Sequence, residues 1–440
     1  MESFFIQSFG CRASQADGAE IGSALETRGL TPAFTAAEAG LVILNSCTVT
    51  SSADDDLRHA VRRAHRENPS ARILVTGCFA QRCPQEIAAL EGVTWVVGND
   101  AKSRIPDIAA PPPEAPYHGQ IHLAGAFGPF ELLAHDAGSG RTRPTLKIQD
   151  GCNNLCTFCI IPTVRGPSRS AAPDDVVARV RDLAHDHPEI VLSGINLGRW
   201  GRERGSTLRL VDLLRRLLDE TPIRLLRLSS VEPMDFSDAL LDLMAATPRI
   251  APHVHAPLQS GSDTVLRRMR RRYRARHYEQ RIRRAYSLLP DAAFGADVMA
   301  GFPGETDAEF EESIQFIDSL PFTYLHVFPY SERPGTPASE SPDQVPPPVK
   351  RERARRLRQL SAAKNYAFRQ RMVGRRLPAV TLRDGAITAN YLPVQLAHPR
   401  PTNRIVEVEI GSLGPETLVE KPLLPVLHPR FSSPALGNSA

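Results

Sequence analysis

Seven cysteines carry most of the reactive chemistry open to this sequence: Cys11, Cys47, Cys78, Cys83, Cys152, Cys156 and Cys159. The densest group lies in Gly151-Cys152-Asn153-Asn154-Leu155-Cys156-Thr157-Phe158-Cys159, a C-x3-C-x2-C spacing. Three thiolates this close can hold three irons of a [4Fe–4S] cluster and leave the fourth iron open to a further ligand. Zinc is the rival. A structural zinc site takes four protein ligands, commonly in C-x2-C pairs, and no fourth Cys or His follows at a suitable spacing. Cys152, Cys156 and Cys159 are therefore expected to be both metal ligands and catalytic.

The other cysteines are scattered, but three share a position. Phe9-Gly10-Cys11, Asn45-Ser46-Cys47-Thr48 and Thr76-Gly77-Cys78 each directly follow a strand-like run. In a parallel sheet those strand ends meet along one edge. Three buried free cysteines, common in cores, are the alternative. The repeated placement favours a second cluster on Cys11, Cys47 and Cys78, with Cys83 left over as structural. An odd number of cysteines argues against a disulfide framework.

The elements that must position these residues read as α/β. Phe4–Ser8, Leu41–Leu44, Ile73–Val75 and Trp95–Val97 are short apolar runs. Helical patterns at about 14–28 and 54–67, and a short helix opened by Pro84, lie between them. The pattern predicts a parallel sheet with helices on both faces over residues 1–103. Residues 104–140 contain Pro111-Pro112-Pro113 and several Gly and Ala residues, and are expected to be a linker. Six further strand–helix repeats predict an open or partial (βα)6 barrel within 141–371, with strands at 145–149, 189–193, 224–229, 253–257, 293–299 and 323–329. Barrels of this kind place function at the carboxyl ends of their strands. Ile405–Ile410 alternates apolar and polar residues and predicts a small antiparallel β-domain over 372–427. Residues 428–440 are expected to be disordered.

The C-x3-C-x2-C loop after the first barrel strand resembles the radical S-adenosylmethionine (SAM) superfamily. That resemblance implies SAM on the open iron and its cleavage to a 5′-deoxyadenosyl radical. It also implies SAM contacts at three strand ends. Ser193 and Gly194 stand where the methionine amino group binds, although many members have Gly-Gly-Glu there. Ser230 and Glu232 stand where the ribose hydroxyls are held; Gln259, ending the fourth strand, is expected to point toward the same site, with a satisfied turn residue as the alternative. Gly301, in the turn Ala300–Gly304, would let backbone approach the adenine closely.

Two three-cysteine sets, one on an α/β domain and one on such a barrel, resemble the radical-SAM methylthiotransferase family from about Phe4 to Ala338. Asn45–Thr50, Val75–Gln81, His253–Ser262 and His326–Ser331 are further points of likeness. Lys147–Pro162 and Met269–Tyr273 look most like the branch acting on N6-threonylcarbamoyladenosine beside the tRNA anticodon. The branch acting on isopentenyladenosine is the nearest alternative. The resemblance implies two [4Fe–4S] clusters and SAM, with the tRNA anticodon stem-loop as partner and separate electron and sulfur donors. One departure is Ser14, where the family usually has Asn. The β-domain would correspond to a TRAM-like RNA-binding barrel, with Arg375, Arg376, Arg383 and Arg404 as candidates, or to a structural appendage.

Charge is consistent with an RNA partner. The net charge of +4 is modest, but Arg267–Arg274 and Lys350–Arg358 are dense in cations that could attract phosphates; solvated helix faces are the alternative. Arg165 could meet a carboxylate or phosphate, or lie at the surface. His253 and His255 face the same side of their strand, as core or supporting residues rather than metal ligands. No apolar run reaches the ~20 residues of a membrane span, and the start lacks a basic-then-apolar leader, so a cytoplasmic protein is expected. Two rivals remain: a methylthiotransferase for a ribosomal-protein aspartate, and a metal-stabilised RNA-binding protein without catalysis.

Overall fold

The structure, a computed structural model, describes residues 3–109, 118–130, 132, 142–205 and 207–422. The expected disordered tail, 428–440, lies outside them.

Six strands form the first sheet: β1 (Ser3–Ser8), β2 (Thr31–Pro32), β3 (Leu41–Ser46), β4 (Arg72–Gly77), β5 (Val93–Val97) and β6 (Gln120–His122). All neighbours run parallel, in the order β2-β1-β3-β4-β5-β6. Every residue of β3 is buried, because successive side chains enter different cores. Val42 and Leu44 pack with Leu57 and Val61 of the helix Ser51–Glu67. Leu41 and Ile43 pack with Ile21 and Leu25 of the helix Arg12–Thr27. The helix Ser51–Glu67 begins before the expected position near 54, because Thr50 caps it by accepting from the Ala53 N–H at 3.3 Å.

The expected linker is structured where it is described. Ile105–Ala109 is helical and buried against the first sheet, and β6 adds a sixth strand beside β5. A three-residue strand is too short to show a period, and the Pro- and Gly-rich composition around it signals only turns.

The second body holds β7 (Thr145–Asp150), β8 (Arg169–Ser170), β9 (Glu189–Gly194), β10 (Leu225–Leu228), β11 (His253–His255), β12 (Ala293–Ala300) and β13 (Tyr324–Pro329). Six of these are the expected barrel strands; β8 is an extra antiparallel partner of β7 beyond the cysteine loop. The ladders fall into two groups, β10-β9-β7-β8 and β11-β12-β13. They are joined by a parallel bridge at Leu226–Ile250 and by the Val231 N–H donating to the His255 carbonyl at 3.0 Å. The barrel is thus partial. One apolar core, including Leu192, Leu228, Val254 and Phe294, runs through it.

After the helix Pro347–Gln370, β14 (Arg376–Leu382), β15 (Gly385–Thr388), β16 (Pro393–Gln395), β17 (Ile405–Leu413) and β18 (Leu418–Glu420) close a small barrel. Its pairings are antiparallel as expected, except the parallel pair β16–β18. Tyr391, between β15 and β16, enters the base of the larger barrel. Its ring lies 4.5 Å from that of His253 and 5.2 Å from the Arg227 guanidinium. Arg12 Nη2, from the first domain, donates to its hydroxyl at 2.8 Å. One side chain therefore touches all three bodies.

Candidate functional site

The strand β7 delivers Gly151 at φ +70° to the cysteine loop. A Cβ there would lie 1.9 Å from the Pro167 carbonyl oxygen, so only glycine fits this close approach. Cys152, Cys156 and Cys159 follow, all partly buried. Polar hydrogens converge on their sulfurs: Asn154 N–H at 3.4 Å and Asn196 Nδ2 at 3.7 Å from Cys152 Sγ, and Arg271 Nη1 at 3.3 Å from Cys156 Sγ. Burial pushes the Cys159 thiol up to about 12, and the neighbouring Cys156 and Cys152 add to the shift. Burial pushes the Cys152 thiol up as well, and thiols so placed resist ionising unless a cation takes their charge. The donor set fits three irons of a cluster.

Cys11, Cys47 and Cys78 also come together. Cys47 is pushed up to about 12, first by burial and then by the charges of Cys11 and Cys78. Gly10, at φ +84°, lies against Cys47, where a Cβ would stand 2.5 Å from its Sγ. Asn99 Nδ2 lies 3.5 Å from Cys78 Sγ, and Ser14 Oγ lies 3.6 Å from Cys11 Sγ. Ser14, the departure from the usual Asn, is fully buried. Cys83 stands apart, packed against the apolar core beneath β4.

The two sets are neighbours. The short helix Ile161–Arg165 leaves the loop two residues after Cys159 and carries Val164, which packs with Ile160 against Cys78. Asn99 Nδ2 also donates to the Val164 carbonyl at 2.8 Å. Arg165 is buried, not a surface residue. Its Nη1 donates to both Asp150 oxygens at 3.0 and 3.1 Å, and its Nη2 to Asp17 at 2.9 Å. The charges of Cys78 and Cys11 act on it as well.

Beside the cluster loop lies a cavity of about 220 Å³. Val49 and Thr50 line it from the first domain, Cys159 and Phe158 from the loop, and Gln259, Asp297 and Met299 from the barrel. Gln259 holds φ +69°, a conformation rare outside glycine. The ladder fixes it there: its N–H donates to the Asp297 carbonyl at 2.8 Å and its carbonyl accepts from the Met299 N–H at 2.9 Å.

The remaining expected residues divide. Glu232 forms an ion pair with Arg271, which places it one residue from the Cys156 sulfur. Gly194 lies against Gln149, whose Oε1 accepts from the Asn196 N–H at 2.7 Å. Ser193 is buried within its ladder. Ser230 Oγ is 2.8 Å from His255 Nδ1. Gly301 does not line the cavity; at φ +73° it lies under Lys350, whose Cγ would be 2.5 Å from an added Cβ. Its turn therefore also serves the packing of the helix Pro347–Gln370.

Sequence reasoning passed over Asn99, Gln149 and Asn196, and placed Arg271 in a basic surface run. Gln149, Asn99 and Asn196 stand at or just past the ends of predicted strands, which was an available signal; Arg271 carries none. Arg271 is 5% exposed, whereas Arg267, Arg270 and Arg272 are exposed as expected. In the second run Arg353 is buried on Glu305 and Asp307, and Arg355 and Arg356 pair with Glu352 and Glu311.

Comparisons with known proteins give the geometry a family. The Radical SAM superfamily model matches residues 146–317, and that of Uncharacterized protein family UPF0004 matches residues 3–98. The chain is 42% identical over 335 residues to Threonylcarbamoyladenosine tRNA methylthiotransferase MtaB of Bacillus subtilis, covering 75% of this chain and 74% of the relative. It is 35% identical to the protein of the same name in Aquifex aeolicus, covering 92% and 99%. The chain belongs to the radical-SAM methylthiotransferase family. It is also 36% identical to tRNA-2-methylthio-N(6)-dimethylallyladenosine synthase of Parafrankia, covering 86% and 77%. Among solved structures, the radical SAM methyltransferase TsrM of Kitasatospora setae superposes with TM-score 0.57 at 15% identity, over 77% of this chain and 76% of that one. This shows the shared fold alone. Membership makes the chain a radical-SAM enzyme that uses a [4Fe–4S] cluster and SAM. Among the described residues no helix is long and apolar enough to cross a membrane.

Proposed function

We propose that this methylthiotransferase adds a methylthio group to C2 of N6-threonylcarbamoyladenosine beside the tRNA anticodon. The observation that carries the reading is the junction of the two cysteine sets: Cys159 of one lines the cavity, and Ile161–Arg165 ties that set to Cys78 of the other. Relatives named for this substrate match over most of the chain.

In this reading Cys152, Cys156 and Cys159 hold the cluster that works with SAM, and Cys11, Cys47 and Cys78 hold a second one where sulfur is kept. When bound, cluster and SAM supply one-electron chemistry that reaches a purine C–H bond of no useful acidity. The chain's own groups bind and orient. Asn196, the Asn154 N–H and Arg271 donate toward the thiolates and stabilise their charge. Glu232 is set to accept the SAM ribose hydroxyls, exchanging its bond to Arg271 for them. The backbone at Ser193 and Gly194, with Ser230, Gln259 and Gly301, completes the SAM site. Arg270 and Arg272, exposed beside Asn154 and Cys156, would take tRNA phosphates at the mouth. The site works in the cytoplasm with a separate electron donor and sulfur donor.

Mass spectrometry of tRNA nucleosides, with and without the gene, tests this. Loss of the methylthio form of threonylcarbamoyladenosine alone is the expected result. Loss of methylthio-isopentenyladenosine instead would assign the other branch, which the Parafrankia relative favours. Unchanged tRNA with an altered ribosomal-protein aspartate would refute the tRNA reading.

A further inference from the structure

Below Gln259 on the barrel wall, three side chains from three adjacent strands point at one spot. His255 comes from β11, Asp297 from β12 and His326 from β13. One ligand atom of each lies within 4.8 Å of the others. His255 Nε2 is 3.4 Å and His326 Nδ1 3.2 Å from the same oxygen, Asp297 Oδ1. An ion about 2.0–2.1 Å from each ligand would separate neighbouring ligands by roughly 3.0–3.4 Å, which matches both distances. From these positions we propose that His255, Asp297 and His326 bind a divalent first-row transition ion in the floor of the cavity.

Two further observations point to a ligand. His255 is 5% exposed, and its Nε2 makes no hydrogen bond although it is aimed at Asp297. A buried ring nitrogen so placed has only the 3.4 Å approach to Asp297 Oδ1, and an ion between the two would satisfy both. The other nitrogen, Nδ1, lies 2.8 Å from Ser230 Oγ. An outer hydrogen bond of that kind fixes the tautomer and orientation of a metal-ligating imidazole. Two imidazoles and a carboxylate suit iron, zinc or cobalt better than magnesium or calcium. Asp297 also lines the cavity shared with Cys159, and His326 is half exposed, so the ion has a route in. Its remaining positions would face the cavity and suit an oxygen donor. His255 then serves as a ligand, where its alternation with Val254 suggested only a core or supporting place. Neither the family assignment nor the choice of tRNA base is needed for this site.

The test uses the anaerobically reconstituted enzyme, whose cysteines are already occupied by iron. It is dialysed against micromolar Zn²⁺, and zinc, iron and sulfide are measured per chain. About one zinc is expected to be retained with iron and sulfide unchanged, and crystals should show an anomalous zinc peak among the three side chains. His326→Ala, at a half-exposed position, should abolish retention while leaving iron and sulfide unchanged. Ser230→Ala, which removes the hydrogen bond to His255 Nδ1, should weaken zinc retention, measured without SAM, about 10–100-fold. No retained zinc in the wild type would overturn the proposal. So would equal retention by His326→Ala, or iron lost in proportion to zinc gained.

Discussion

Arg165 fastens the first domain to the barrel, and its removal has a calculable cost. The residue is 1% exposed and bonded to Asp150 and Asp17. Breaking a buried ion pair by removing one partner costs about 3–5 kcal/mol. Here the carboxylates keep other cations: Lys102 Nζ lies 2.7 Å from Asp17, and Lys147 contacts both Asp17 and Asp150. The two remaining ammonium groups balance the two carboxylates, so the low end applies. Arg165→Met, which keeps most of the volume, should destabilise by about 3 kcal/mol in urea unfolding of the reconstituted enzyme, read from the midpoint at constant slope. The acid limb supplies an independent check. Burial would raise the Asp150 carboxyl, but Arg165 and Lys147 outweigh it and hold it at about 2. A depressed carboxylate stabilises fully above its ordinary value near 4, and that contribution is lost as pH falls to 2. The span corresponds to roughly 2 kcal/mol. Arg165→Met should shrink this loss by returning Asp150 toward its ordinary value. A variant within 1 kcal/mol of wild type at pH 7, with an unchanged acid limb, would refute the argument.

Three further outcomes are expected. Alanine at Cys11, Cys47 or Cys78 should lower the iron content from about eight to about four per chain, as should alanine at Cys152, Cys156 or Cys159, whereas Cys83→Ala should leave it unchanged; iron and sulfide assays decide. Burial raises Glu20 to about 7, and the neighbouring Lys147 only partly offsets this, so the native state holds its proton more tightly than the unfolded chain. Stability should therefore fall as pH rises from about 4.5 to 7, and Glu20→Gln should recover up to about 3 kcal/mol at pH 8 but little at pH 4, as unfolding curves at the two pH values would show. Tyr391→Ala should cost about 2–3 kcal/mol by emptying the base of the barrel, and Tyr391→Phe about 1 kcal/mol through the lost Arg12 bond; equal losses in thermal unfolding would contradict the packing role.

The parts of this site that were legible in the sequence are those where chain order and space agree. A parallel sheet brings every strand end to one edge, so Cys11, Cys47 and Cys78 could be grouped although Cys11 and Cys78 are 67 residues apart. The three loop cysteines needed only their spacing. Among the donors to those sulfurs, Asn196 follows a strand end, but Arg271 had no such rule. Arg271 meets Cys156 across 115 residues, and it sits between Arg270 and Arg272, which have the same charge. Nothing in Met269–Arg274 marks which arginine turns inward. The barrel makes that choice, because Tyr273 is buried with its hydroxyl on the Pro257 and Leu258 carbonyls, 2.8 Å from each, and carries Arg271 in beside it. The same holds for the triad below. His255, Asp297 and His326 meet only because β11, β12 and β13 are parallel neighbours: Asp297 lies directly opposite His326, and His255 lies opposite Gly295, two residues before Asp297 on the same face. The distinction bears on the RNA partner too. Arg268, Arg271 and Arg353 are held by protein carboxylates, so these two basic runs offer fewer cations to phosphate than their composition suggests. The attraction must come from exposed members such as Arg270 and Arg272, which stand at the mouth of the cluster loop, where a nucleotide would have to enter.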